Sequence, residues 1–358
     1  MKRAAELMQQ AVETGVFPGG VLLAARFDQV VFHQGFGVTD HIRRIPVTCD
    51  TVYDLASLTK PLATAAALMR LVQQGRIRVE DRLGEVIPGF SETDKNQIRI
   101  RHLLCHNSGL PPYRPYFRTL RRLPENGRKA ELRRLLINAP VRDAPGTCTR
   151  YSDLGFMILD WVIERVSGRS LDRYAAQQIY APMGIRDLFF IPGGRPDPER
   201  AFAPTRLCEN REVVSGRVHD ENADAVGGVC GHAGLFGTSG AVFALLCELL
   251  LTVCGRSSSG VFSREVVAGF LRPPEGAERA MGFDTVSPEG SSSGRYFNPG
   301  RAVGHLGFTG TSFWMDPVSG ETVILLSNRV LAGRGTRKIR AFRPELHNAV
   351  MRHMQAGN

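Results

Sequence analysis

Apolar positions along the chain fall into helical and strand-like patterns by turns. Residues 5–15 read as a short helix ending at Gly15. Two apolar runs, 21–25 and 30–32, are separated by Phe27-Asp28-Gln29, the pattern of an antiparallel hairpin. From Ser57 onward Leu58, Leu62, Ala65, Met69 and Val72 recur on one helical face. Residues 61–69 are apolar almost all round, so this spacing predicts a deeply buried helix, with Gly75 as its stop. From 76 to 220 the pattern is helices and irregular loops with few strand candidates. One helix there is sharply marked: Leu154, Met157, Ile158, Trp161 and Val162 share a face, Ser152 and Asp153 stand at its start, and Gly168 ends it. Pro192, Pro196, Pro198 and Pro204 indicate a loop. A strong apolar helix covers 241–253, and Ser/Gly-rich 286–294 reads as a mobile loop. Phe313-Trp314-Met315 and Val323-Ile324-Leu325-Leu326 flank a turn sequence, Asp316 to Glu321, and a last helix spans about 343–355. No internal repeat is visible. Strands at both ends with a helical middle imply an α+β fold. Residues 1–75 and 221–358 would build one antiparallel sheet flanked by helices, with 76–220 a mainly helical insertion and the active site in the cleft between them.

Length and charge narrow the picture. A chain of 358 residues buries enough surface to need neither disulfides nor a structural metal. Its seven cysteines are an odd number without a C-x-x-C pair, which argues against a disulfide framework or zinc ribbon and fits a reducing compartment. The net charge of +10 is concentrated at Arg114, Arg118, Arg121, Arg122, Arg128, Lys129, Arg133 and Arg134. With no interleaved aromatics this run reads as a solvated helical face, and no nucleic-acid partner is expected. The longest apolar stretch, 242–253, is too short for a membrane span. The residues after Met1-Lys2-Arg3 are not an apolar signal core, so the expected location is cytoplasmic.

Three segments carry candidate chemistry. In Ser57-Leu58-Thr59-Lys60, Pro61 fixes a helix start near Ser57, because proline is tolerated only in a first turn. A serine hydroxyl needs a base to become a nucleophile, and a lysine one turn away can serve if burial and nearby cations keep it partly neutral. Tyr151 lies just outside the start of the helix at 154. Gly304-His305-Leu306-Gly307-Phe308-Thr309-Gly310-Thr311 enters the C-terminal strands, and its glycines would leave one face bare for a ligand backbone. A further Gly-rich stretch, Gly227 to Phe236, carries His232 and follows His219-Asp220; both histidines could line the cleft. The spacing of His219, Asp220 and His232 fits no zinc pattern, so neither metal nor cofactor is expected. Gly290-Ser291-Ser292-Ser293-Gly294 matches G-x-S-x-G in letters only, since no hydrophobic strand precedes it and no helix follows.

In this order and context the three segments resemble the signature of the serine β-lactamase and penicillin-binding-protein superfamily, nearest the class C-like branch with its esterases and D-aminopeptidases. Asp54 to Lys60, Ile98 to Leu104, His106 to Leu110, Pro145-Gly146-Thr147 and Tyr151 to Gly155 share in the resemblance. It implies that Ser57 is the acylated nucleophile, Lys60 its proton acceptor and Tyr151 the proton shuttle. The oxyanion hole would be the backbone N–H groups of Ser57 and Phe308, and Asp153, His305, Gly307, Thr309 and His232 would contact substrate. Two positions depart from the pattern: Asp153 stands where Asn is common, and Leu306 where Thr is common. Without that hydroxyl a substrate carboxylate loses a partner. The expectation is therefore a serine hydrolase acting on a small-molecule or peptide ester or amide. A D-Ala-D-Ala carboxypeptidase or β-lactamase is the alternative, and a non-catalytic acyl- or peptide-binding relative a third reading.

Overall fold

The computed structural model describes residues 1–207, 213–257, 259–287, 291–333, 335 and 337–356. Helix α1 (Lys2–Glu13) turns at Gly15, whose φ of +66° suits glycine, into β1 (Gly19–Arg26) and β2 (Gln29–Gly37). A short strand β3 (Tyr53–Asp54) leads into a tight 3₁₀ turn at Ala56–Leu58, a wider π-type turn over Lys60–Ala65, and helix α2 (Ala66–Gln73). The expected helix from Ser57 thus exists as a composite. After it come α3 (Asp153–Ser167), β4 (Leu188–Phe190), α4 (Glu221–Ala225), β5 (Leu235–Gly237) and α5 (Ser239–Val253). The chain closes with β6 (Asp284–Thr285), β7 (Val303–Leu306), β8 (Ser312–Met315), β9 (Glu321–Ser327) and α6 (Lys338–Ala356). Helix α6 begins ahead of the expected 343 and accommodates Pro344 inside it.

Six strands form one antiparallel sheet in the order β2-β1-β9-β8-β7-β6. The two ends of the chain meet where β1 pairs with β9, Leu23 opposite Ile324. Side chains alternate across a strand, so β1 feeds two cores. Val21, Leu23 and Ala25 join one with α2, α3 and α5, whereas Leu22 and Ala24 join another with α1 and α6. A second sheet, β3-β5-β4, ties the segment before Ser57 to the segment after His232.

Two expectations need revision. The motif glycines do not leave a bare strand face: β7 ends at Leu306, and 307–311 is a turn. A Cβ on Gly304 would strike Phe313 O and the Trp314 ring, and one on Gly307 would strike Thr311 Oγ1 and Leu55 O. Those spaces are filled by the protein itself. Of the loop expected at 286–294, residues 288–290 lie outside the described residues, as does Cys208. Next to them, Arg295 N–H donates to Asn348 Oδ1 at 2.8 Å and the His347 ring meets Ser292 O at 2.8 Å, pinning 291–295 to α6. The other six cysteines are free thiols. Part of the arginine run reaches carboxylates of other helices: Lys129 and Arg133 bind Glu164 at 2.6 and 2.7 Å, and Arg121 binds Asp224 at 2.9 Å. Among the described residues, no helix is long and apolar enough to cross a membrane.

Candidate active site

Ser57 is presented by a strained turn. Ala56 takes φ +48°, a left-handed value that costs a residue with a Cβ on the order of 1–2 kcal/mol. The turn is held open from below, where Asp54 Oδ1 accepts from Ala56 N–H at 2.9 Å and Asp54 Oδ2 from His219 N–H at 2.7 Å. Burial raises the Asp54 carboxyl to about 6, against the pull of those two N–H groups. Strain of this kind persists where surrounding structure over-determines it, and here it aims a hydroxyl.

Lys60 is fully buried and uses all three ammonium donors. Nζ donates to Ser57 Oγ at 3.1 Å, to Asp153 Oδ1 at 2.8 Å and to His232 O at 3.2 Å. Of the condition set for a lysine base, burial with cations nearby, the burial is present but a carboxylate stands beside the amine. Burial does push the amine down, but the Asp153 carboxylate and the Tyr151 phenol push it up by more, and it stands above its ordinary range. In the resting site Lys60 is an ammonium, and Asp153 is the reason.

Tyr151 stands at the entry to α3. Ser152 caps that helix, accepting from Gly155 N–H at 3.3 Å while its hydroxyl donates to Pro111 O at 2.7 Å. Ser152 N–H donates to His106 Nδ1 at 3.0 Å, which makes His106 a neutral acceptor; its burial and nearby cations keep it well below the usual imidazole range. His106 itself takes φ +59°, and its ring lies 4.4 Å from that of Tyr151. The Tyr151 hydroxyl is within hydrogen-bonding reach of Ser57 and Lys60. Burial raises this phenol, and the Lys60 ammonium draws it part of the way back.

His232 is buried, with Nε2 2.9 Å from Asp220 Oδ1. Burial alone would neutralise the imidazole, yet Asp220 and Cys230 hold it protonated well above its ordinary range, while the imidazolium keeps Asp220 well below the carboxylate range. The pair fixes the residue whose carbonyl holds Lys60. Thr309 does not serve as expected: its hydroxyl donates to Asp54 O at 2.7 Å, and it lines neither cavity at Ser57. It pins the turn, as Thr311 does by donating to Leu55 O at 3.0 Å. His305 is buried, its Nδ1 on Leu306 O at 2.9 Å.

Two cavities meet at Ser57, Tyr151 and Phe308. One, of about 420 Å³, is also lined by Pro112, Tyr113, Asp153, His219, Asp220 and His232. The other, of about 780 Å³, reaches His305, Gly307 and the arginines Arg279, Arg329, Arg337, Arg340 and Arg343. Tyr113 and the five arginines escaped sequence reasoning, because no local pattern marks a side chain that enters a site from a distant loop or helix. His106 was within reach of it, standing at the head of the segment His106 to Leu110. Among the described residues, no group of three or more His, Cys, Asp or Glu side chains is arranged to hold a metal ion.

An antiparallel sheet flanked by helices, with half-buried Ser57 and Tyr151 around a buried Lys60, defines a class of serine acyl hydrolases. Comparison with known proteins agrees: the model of the family described as Beta-lactamase matches residues 4–344, and the chain belongs to that family. A protein of Escherichia coli strain K12 named "Putative D-alanyl-D-alanine carboxypeptidase" is 32% identical, over 90% of this chain and 80% of its own. Its namesake in Salmonella typhimurium is also 32% identical, over 90% of this chain and 81% of its own. Among solved structures, EstCE1, described as a hydrolase with promiscuous acyltransferase activity, superposes with a TM-score of 0.77 at 24% identity, covering 98% of both chains. The chain is a serine hydrolase of the β-lactamase and penicillin-binding-protein superfamily.

Proposed function

We propose that this hydrolase cleaves ester or amide bonds through an acyl-enzyme on Ser57, in the cleft between the sheet half (1–75 and 221–358) and the helical half (76–220). The observation that carries this is the 3.1 Å contact between Lys60 Nζ and Ser57 Oγ, with the Tyr151 hydroxyl in reach of both. With Lys60 deprotonated, its Nζ takes the proton of Ser57 as Oγ bonds to the substrate carbonyl carbon. The N–H groups of Ser57 and Phe308 hold the oxygen on which charge develops; one such donor is worth roughly 10²–10³ in rate. Tyr151 relays the proton from Lys60 to the departing group as its bond to carbon breaks. Water, deprotonated through the same phenol, then cleaves the ester and returns the proton to Ser57 Oγ. Incubation with a fluorophosphonate followed by intact-mass and peptide mapping is expected to label Ser57. Ser57→Ala is expected to lose nitrophenyl-ester hydrolysis, and equal activity in both proteins would sink the proposal.

A second reading, a carboxypeptidase for peptides ending in a free carboxylate, rests on the relatives' name and on the arginine-lined cavity. Arg343 is buried there with Nη2 on Gly307 O and Thr311 O at 3.2 and 2.8 Å, and no carboxylate among the described residues pairs with it. Such a cation could replace the missing motif hydroxyl. Release of D-alanine from a D-Ala-D-Ala peptide but not from its C-terminal amide would establish this reading. For a chromogenic cephalosporin, the absent hydroxyl leads us to expect kcat/KM below about 10⁵ M⁻¹s⁻¹, against roughly 10⁴–10⁸ for efficient enzymes.

A further inference from the structure

We propose that the Phe308 side chain, beyond any role of its N–H group, is a fixed wall between the two arms of the cleft and selects flat, aromatic acyl groups for the smaller arm. The inference rests on the reading of Ser57 as nucleophile. Phe308 is a large apolar side chain left 49% exposed, and it lines both cavities together with Ser57 and Tyr151. A ring so placed meets any group attached to the reacting carbonyl.

The ring is held. His219 stacks on it at 5.5 Å with an interplanar angle of 26°, and the Arg329 guanidinium stands 4.7 Å from its centre. Arg329 Nε–H also donates to Phe308 O at 2.9 Å. On either side, the space a Cβ would need at Gly307 is already taken, and Thr309 is tied to Asp54 O. The turn backbone is therefore fixed, and the ring leaves its place only by giving up its contacts with His219 and Arg329.

The arms differ in chemistry. Around the smaller one stand Tyr113, Tyr151, Phe308 and Pro112. Its carboxylates are Asp153, Asp220 and Glu221; the first two are answered by Lys60 and His232, and much of the remaining lining is apolar and aromatic. The larger arm carries five arginines against the single carboxylate of Asp284, which pairs with Arg279. A planar acyl group suits the first, and a polar or anionic leaving group the second.

The test compares kcat/KM for nitrophenyl phenylacetate, acetate and pivalate in wild type, Phe308→Ala, Phe308→Leu and Phe308→Tyr. Every variant keeps the backbone N–H, so ratios between esters isolate the ring. Loss of an aromatic contact lowers the phenylacetate-to-acetate ratio by about fivefold, within the roughly 2–12-fold span of such pairs. The expected result is that fall in Phe308→Ala and Phe308→Leu, its absence in Phe308→Tyr, and a rise in the pivalate-to-acetate ratio in Phe308→Ala. Ratios within twofold of wild type would overturn the inference. So would a change seen only when the leaving group is varied, using 4-hydroxybenzoate in place of nitrophenol. Activity surviving in Ser57→Ala would instead remove the reading beneath it, so the two failures are distinguishable.

Discussion

At the scale of single residues, one carboxylate sets the protonation state of the site. Asp153 lies 2.8 Å from Lys60 Nζ and holds it as an ammonium. Catalysis needs the amine to accept a proton, so activity should rise with pH as the ammonium deprotonates. Asp153→Asn removes the charge that raises Lys60 while burial, which lowers it, remains. The rising limb of the kcat/KM profile should therefore move to lower pH by about 1–3 units. A limb that stays in place would show that another group controls it.

Among the elements, the turn at 307–311 and the cap of α3 carry the geometry. A Cβ on Gly307 would fall 1.9 Å from Thr311 Oγ1 and 2.7 Å from Leu55 O, so the backbone beside Phe308 must shift to admit it. Gly307→Ala should destabilise the fold by about 1–3 kcal/mol, seen in denaturant unfolding, and slow acylation at the same time. Full-rate acylation in that variant would mean the turn does not position the oxyanion donor. Ser152→Ala removes a helix cap and the bond to Pro111 O. A loss of about 1 kcal/mol is expected in unfolding experiments, with a larger fall in activity because Tyr151 is the preceding residue.

For the whole molecule, the Asp220–His232 pair couples stability to the site. Asp220 is lowered in the fold, so its contribution is present above the ordinary carboxylate value of about 4 and is lost as pH falls through the folded value. His232 is raised, so its contribution is full below about 6.5 and is lost as pH rises through the folded value. The pair stabilises most between those limits. Asp220→Asn should cost about 3 kcal/mol near pH 5.5, less at alkaline pH, because a buried imidazolium loses its partner. A pH-independent difference in denaturant unfolding would contradict this.

Local chemistry made much of the protein legible in its sequence. The 3.6-residue spacing of 154–162, the Ser152 cap and the glycine at 168 place α3 with Tyr151 before it, because such signals act within a turn or two of chain. The order of Ser57, Lys60, Tyr151 and the 304–311 segment was likewise visible, since each motif is short. What lay hidden depends on chain segments far apart. Whether Lys60 is charged was decided by Asp153, ninety-three positions away. That Thr309 braces the turn rather than meeting substrate follows from Asp54 O, which arrives from the other end of the chain. The arginine-lined arm depends on distant segments meeting, with α6 bringing Arg340 and Arg343 to the β7–β8 turn beside Arg279 and Arg329. Periodicity and capping are near-neighbour effects written in consecutive residues, whereas desolvation and Coulomb terms depend on which distant groups the folded sheet brings within a few ångströms.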